Sequence, residues 1–200
     1  MKIGIINLEI NNIKSVKDFF SIFGNSYLIN DFSEYKENTD LVILPGNGTF
    51  KAGVESIKNK GIDKLLIKIL NEKIFLIGIC LGMQLLFEKS DENPKYQGLS
   101  FFKGVVKEIE TNNCRLPLLG WYELNSKKVE QNRKTFFFNN KYSCLPKDNS
   151  YSESFLNLKD YKVLASIRKD NIYGLQFHPE KSSSNGRELI SKIIDEIKNV

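Results

Sequence analysis

The amino-acid sequence predicts an α/β protein, with a three-layer parallel sheet in its first half and antiparallel strands added to the same domain in its second. Short apolar runs alternate with segments of helical spacing as far as residue 88, and several of these runs stop abruptly in turns. Beyond residue 100 the texture changes to short strands and one last amphipathic helix. A chain of 200 residues with 41% hydrophobic content can bury one sizeable core. No repeat, low-complexity tract or Pro/Gly-rich linker divides it, so residues 1–200 read as a single domain.

The elements follow in order. Lys2 to Ile6 is a short apolar run of strand type. After Asn12, the residues Ile13, Val16, Phe19, Phe20 and Phe23 recur at helical spacing, and Gly24 is the expected stop. Ser26 to Ile29 and Asp40 to Leu44 are the next strands, the latter ending at Pro45-Gly46-Asn47-Gly48. Helical spacing returns from Val54 to Leu70. The most apolar run, Ile74 to Ile79, has the composition of a central strand covered on both faces. Cys80 to Glu88 is helical by composition. Later strands are expected at Gly104 to Ile109, Thr135 to Phe138, Lys162 to Ile167 and Ile172 to Gln176. Asn185 to Lys198 is the closing helix, with Leu189, Ile190, Ile193, Ile194 and Ile197 on one face.

Composition excludes several functions. At 26% charged and 12% aromatic the chain is neither disordered nor fibrous, and its apolar stretches fall short of the roughly 20 residues that span a membrane. The start, with one Lys and a short apolar run, is too weak for a signal peptide, so a cytoplasmic location is expected. Three widely spaced cysteines, Cys80, Cys114 and Cys144, make neither a disulfide framework nor a zinc-binding CxxC pair. The net charge of +5 comes mainly from lysines scattered among 24 acidic residues, with Arg only at positions 115, 133, 168 and 187. That pattern suits a solvated surface or a basic docking face around Lys14 and Lys181; no nucleic-acid partner is expected.

The chemistry concentrates at Gly78-Ile79-Cys80-Leu81-Gly82. In a G-x-nucleophile-x-G turn the glycines let strand and helix approach closely, so the nucleophile stands exposed on a sharp bend. A helix N-terminus favours thiolate over thiol, and the thiolate is the reactive form. The one histidine of the chain, His178, lies past another apolar run and is followed by Pro179 and Glu180. If that strand is parallel to the one before Cys80, the two side chains share an edge. Imidazole can then take the thiol proton while a carboxylate orients the ring. Glycines in the turn at Gly46 and Gly48 would free backbone N–H groups for an oxyanion hole. Each part has a plainer reading: a packed cysteine, an incidental histidine, an ordinary turn.

Three strings together resemble the class I glutamine amidotransferases: Leu44-Pro45-Gly46-Asn47-Gly48-Thr49-Phe50, Gly78 through Glu88, and Gly174-Leu175-Gln176-Phe177-His178-Pro179-Glu180-Lys181-Ser182. The resemblance spans nearly the whole chain and is strongest to the glutaminase subunits of imidazole glycerol phosphate synthase. It implies a flavodoxin-like, mostly parallel sheet with helices on both faces. It also implies a glutaminase that converts L-glutamine to glutamate and ammonia through a glutamyl thioester. Cys80 would be the nucleophile, His178 the base and acid, and Glu180 its orienting partner. The amides of Leu81 and of the Gly46, Asn47, Gly48 turn would hold the oxyanion. Gln84, Glu92, Asn139 and Asn140 fall at glutamine-contacting positions, and Asn12, Trp121 and Lys181 at the interface with a partner. That partner would be a (β/α)8-barrel cyclase in a heterodimer that receives the ammonia, and neither metal nor organic cofactor is called for.

Three segments depart from the subfamily pattern. Asn7-Leu8-Glu9-Ile10-Asn11-Asn12 lacks the usual glycines, Asn139-Asn140 replaces a His-Ser pair, and Leu118-Leu119-Gly120-Trp121-Tyr122 replaces His-Met-Gly-Trp-Asn. None of them touches the triad, and all fall where the family contacts glutamine or its partner. Two other readings therefore stand beside the histidine-pathway one: an ammonia-supplying paralogue for amidation of a surface sugar, of lipopolysaccharide or nonulosonic acid type, and a catalytically silent scaffold.

Overall fold

Uniformly apolar strands need cover on both faces, and the fold supplies it. The structure, a computed structural model, describes residues 1–10, 12–126 and 133–199. The strands are β1 (Lys2–Ile6), β2 (Asn25–Ile29), β3 (Leu41–Leu44), β4 (Phe75–Ile79), β5 (Lys89–Ser90), β6 (Gly104–Glu108) and β7 (Leu118–Glu123). They continue with β8 (Asn125–Ser126), β9 (Thr135–Asn140), β10 (Tyr142–Pro146), β11 (Ser152–Asn157), β12 (Lys162–Lys169) and β13 (Ile172–Leu175). The helices are α1 (Ile13–Ser21), α2 (Phe50–Asn59), α3 (Ile62–Glu72), α4 (Leu81–Leu85) and α5 (Ser183–Lys198).

Eight strands form the main sheet in the order β2-β1-β3-β4-β13-β12-β11-β8. The first five run parallel, and β12, β11 and β8 extend them antiparallel. Side chains alternate between the faces, as strand geometry requires. In β3, Leu41 and Ile43 join the core under α1 and α5, while Val42 and Leu44 join the core under α2 and α3. Val16, Phe19 and Phe20 of α1 and Leu189, Ile190, Ile193 and Ile194 of α5 fill the first layer. Ile57, Leu65, Leu66 and Ile69 fill the other. Among the described residues, two smaller sheets, β10-β6-β5 and the antiparallel pair β7-β9, lie beside the main one.

Several boundaries differ from the sequence expectation. The first helix ends at Ser21, before Gly24, because its last turn tightens, with Phe23 N donating to Phe20 O at 3.1 Å. The Val54 to Leu70 segment is two helices, divided at Gly61, which adopts φ 62°. Cys80 to Glu88 yields only the short α4, since Lys89–Ser90 pairs with β6 and pulls the chain back into a strand. Strands β5, β7, β8, β10 and β11 carry no strong apolar alternation and were not expected. Among the missing glycines at residues 7–12, Glu9 takes the left-handed conformation (φ 59°) and its N–H bonds to Asn7 Oδ1 at 3.0 Å. Asn11 lies outside the described residues.

Candidate active site

Parallel pairing brings three strand ends to one edge. β3, β4 and β13 are neighbours, with Leu44 opposite Gly78 and Ile79 opposite Leu175. Residues 45–48 leave β3, Cys80 leaves β4 and His178 follows β13 on that edge, the place where open α/β sheets hold ligands.

Cys80 sits between strand and helix with φ 55° and ψ −111°, a backbone conformation that is costly for any residue but glycine, and its side chain is buried rather than exposed as the bend alone suggests, because β9 lies over it. Its N–H donates to Leu175 O at 2.7 Å, which holds the bend against β13. Close packing underneath explains the glycines. A Cβ on Gly82 would lie 1.7 Å from Leu44 O, and one on Gly46 would lie 2.8 Å from Leu81 Cβ. The turn after β3 therefore packs flush on the first residues of α4. Gly46 is buried there, whereas Asn47 and Gly48 are exposed and Gly48 lies beside Ile10.

His178 and Glu180 are both buried, with Nδ1 2.8 Å from Oε1. A carboxylate only accepts, so Nδ1 carries the proton of that bond. The other ring nitrogen, Nε2, is buried without a hydrogen-bond partner, as is Glu180 Oε2. Burial acts against a charged ring, but the Cys80 sulfur beside it and the Glu180 carboxylate outweigh that cost and push His178 up from 6.5 to about 10. The backbone of the histidine is pinned as well: its N–H donates to Phe137 O at 2.8 Å, and its carbonyl accepts from Ser182 Oγ at 2.6 Å. Cys80, His178 and Glu180 thus form one cluster.

The β7-β9 pair covers this cluster. Asn139 O lies 3.8 Å from Cys80 Sγ, so this residue contributes its backbone, and Asn140 turns its side chain inward, with Nδ2 donating to Tyr142 O at 2.9 Å. Gln84 is also buried, and its Nε2 donates to Tyr142 O at 3.4 Å and to Gln176 Oε1 at 3.2 Å. Glu92 stands at the start of α2, where Oε2 accepts from Phe50 N at 2.6 Å. Sequence reasoning missed Gln176, which is fully buried with Nε2 3.8 Å from Cys80 Sγ. A polar side chain within an apolar run demands a buried partner, and that was the available signal.

A cavity of about 20 Å³ adjoins the triad, lined by Gly46, Asn47, His178, Glu180, Asn12 and Lys181 among others. It has room for about one water molecule and is far too small for an amino acid. On the outer face, Phe137 meets His178 edge-on at 6.5 Å, Trp121 at 6.1 Å and the Lys181 ammonium at 5.5 Å. Trp121 and Leu119 are 51% and 64% exposed on that face. Of the three interface candidates, Asn12 and Lys181 line the cavity beside His178 and Glu180, and Trp121 stands one ring further out, against Phe137. Among the described residues, no group of three His, Cys, Asp or Glu side chains is placed to hold a metal. No described helix is long and apolar enough to cross a membrane.

The family description "Glutamine amidotransferase class-I" matches residues 9–196, and the chain belongs to that family. It is 36% identical over 195 residues to imidazole glycerol phosphate synthase subunit HisH of Pyrococcus furiosus, covering 94% of this chain and 96% of that one. It is 34% identical to the subunit of the same name from Lactococcus lactis, covering 98% and 99%. Among solved structures, one described as a glutamine amidotransferase superposes with a TM-score of 0.77 at 17% identity, covering 99% of both chains. PurLQS from Thermotoga maritima gives 0.74 at 15%, covering 98% of both, and these two likenesses concern the fold alone.

Proposed function

We propose that this chain is the glutaminase subunit of an imidazole glycerol phosphate synthase, hydrolysing L-glutamine and passing ammonia to a (β/α)8-barrel cyclase. The observation that carries the reading is the Cys80, His178 and Glu180 cluster at the edge shared by β4 and β13, with His178 Nε2 free to exchange a proton. The near-full-length identity to two subunits named for that synthase supports the pathway.

The reaction would run as follows from the placement of these groups. His178 Nε2 takes the Cys80 proton, and Glu180 stabilises the imidazolium through Nδ1. The thiolate attacks the side-chain amide carbon of glutamine, and amides of Leu81 and of the residues 46–48 turn hold the oxygen as it becomes negative. The imidazolium then gives its proton to the departing nitrogen, ammonia leaves, and a glutamyl thioester remains on Cys80. Water, activated by the same ring, attacks the thioester and releases glutamate.

The glutamine head would lie toward Glu92 and the Oε1 of Gln84, since both Nε2 protons of Gln84 are engaged. The cavity beside His178 and Glu180 holds about one water and is not lined by Cys80, so glutamine is not expected to occupy it. Exposed Trp121 and Leu119, with Lys181 on the shared Phe137 ring, form the face on which the cyclase would dock and couple its state to His178. Retention of the whole triad opposes the scaffold reading, and the histidine-synthase relatives favour that pathway over sugar amidation. Rapid acid quench of the complex during turnover tests the chemistry: the Cys80 peptide should carry a glutamyl adduct. A fully active complex whose adduct lies on another residue would refute it.

A further inference from the structure

Gln176 and Gln84 form a chain of amides that runs from a backbone carbonyl to the nucleophile, and its direction is fixed. Tyr142 O is a carbonyl and can only accept, so the Gln84 atom facing it at 3.4 Å is the NH2 group. That same NH2 faces Gln176 at 3.2 Å, so Gln176 must present its oxygen there. The other end of the Gln176 amide, its NH2, is left facing Cys80 Sγ at 3.8 Å. Asn140 Nδ2, 2.9 Å from Tyr142 O, reinforces the acceptor that starts the chain. Gln176 is fully buried and Gln84 nearly so, so water does not compete for these bonds.

The sulfur thus has two kinds of neighbour. Asn139 O, at 3.8 Å, can accept only from the protonated thiol. Gln176 NH2 can donate to the sulfur lone pairs, and a donor strengthens its bond when its acceptor becomes an anion. We propose that Gln176 is a catalytic residue that stabilises the Cys80 thiolate through its side-chain NH2, and that Gln84 is the positioning residue that keeps that NH2 turned toward the sulfur. On deprotonation the bond to Asn139 O is lost, the proton goes to His178 Nε2, and the amide donor holds the charge left on sulfur. This role rests on the glutaminase reading only in naming Cys80 the nucleophile.

The test needs no glutamine. Iodoacetamide alkylates the thiolate, and peptide mass spectrometry separates Cys80 from Cys114 and Cys144. In Gln176→Met, which keeps the bulk but removes the donor, alkylation of Cys80 at neutral pH should fall roughly tenfold, the size of one lost hydrogen bond to a charge. Gln84→Met leaves the Gln176 amide free to turn over, and a fall of about four- to eightfold is expected. The pH at which the His178 ring titrates should fall in both variants, which a loss of packing alone would not produce. Alkylation within about twofold of wild type in folded Gln176→Met protein, or in Gln84→Met should the first variant not fold, overturns the proposal. So does a raised KM for glutamine with alkylation unchanged, which would make Gln176 a substrate contact. Failure of the glutaminase reading would look different: no glutamate from the wild-type complex, with the alkylation differences still present.

Discussion

His178 is the only histidine of the chain, so its ring nitrogens give one set of resonances that needs no assignment. Its displacement from 6.5 to about 10 means that the sulfur and Glu180 outweigh burial in the proton equilibrium. Because the folded value is the higher one, the imidazolium contributes stability fully below pH 6.5, and this contribution is lost as pH rises through about 10. Cys80→Ala removes the sulfur and leaves burial opposed by Glu180 alone, so the titration midpoint should fall by roughly one to three units. Glu180→Gln keeps the shape and removes the charge at Nδ1, and a fall of similar size is expected. The assay is a two-dimensional proton–nitrogen spectrum of labelled protein across pH, with denaturant unfolding at each pH as an independent readout. A wild-type ring that titrates near 6.5, or one indifferent to Cys80→Ala, would refute the idea that sulfur and imidazole act as a pair.

Other outcomes follow from the same geometry. Gly82→Ala would drive a Cβ to 1.7 Å from Leu44 O, and a loss of more than about 4 kcal/mol is expected in thermal or denaturant unfolding. Gly48→Ala meets nothing closer than 3.7 Å and pays only for its φ of 150°, about 1–3 kcal/mol. Trp121→Ala should leave the melting temperature of the free chain nearly unchanged, while calorimetry shows cyclase binding weakened by roughly ten- to a hundredfold. Unaltered affinity would remove Trp121 from the interface. Glu92→Ala strips Phe50 N of its acceptor and should cost about 1 kcal/mol of stability, with KM for glutamine raised if the carboxylate also meets the substrate.

The sequence was most informative where physics is local. The run Ile74 to Ile79 reads as a doubly covered strand, and Gly78 and Gly82 around Cys80 as a tight strand-to-helix bend; the strand forms at Phe75–Ile79 and Cys80 takes φ 55°. Parallel pairing of β4 and β13 joins residues about a hundred positions apart, and no local pattern encodes that; only the shared motifs suggested it. Strands β7, β10 and β11 escaped because their stability comes from cross-strand partners, such as Phe136 opposite Tyr122, rather than from alternation. Gln176 escaped because its role depends on Gln84 and Tyr142, which reach it from α4 and β10. At Asn139, which stands where the family pattern has a His, the group brought to Cys80 is a backbone carbonyl, which any residue supplies.

The central claim is that Cys80 makes the ammonia which the partner consumes. It is tested by assembling the chain with a purified cyclase subunit and following glutamate release and synthase product side by side. The wild type should release one glutamate for each product molecule, and Cys80→Ala should lose glutamine-dependent synthesis while keeping synthesis from added ammonium. A wild-type complex that never forms glutamate, or a Cys80→Ala complex that still does, would contradict it.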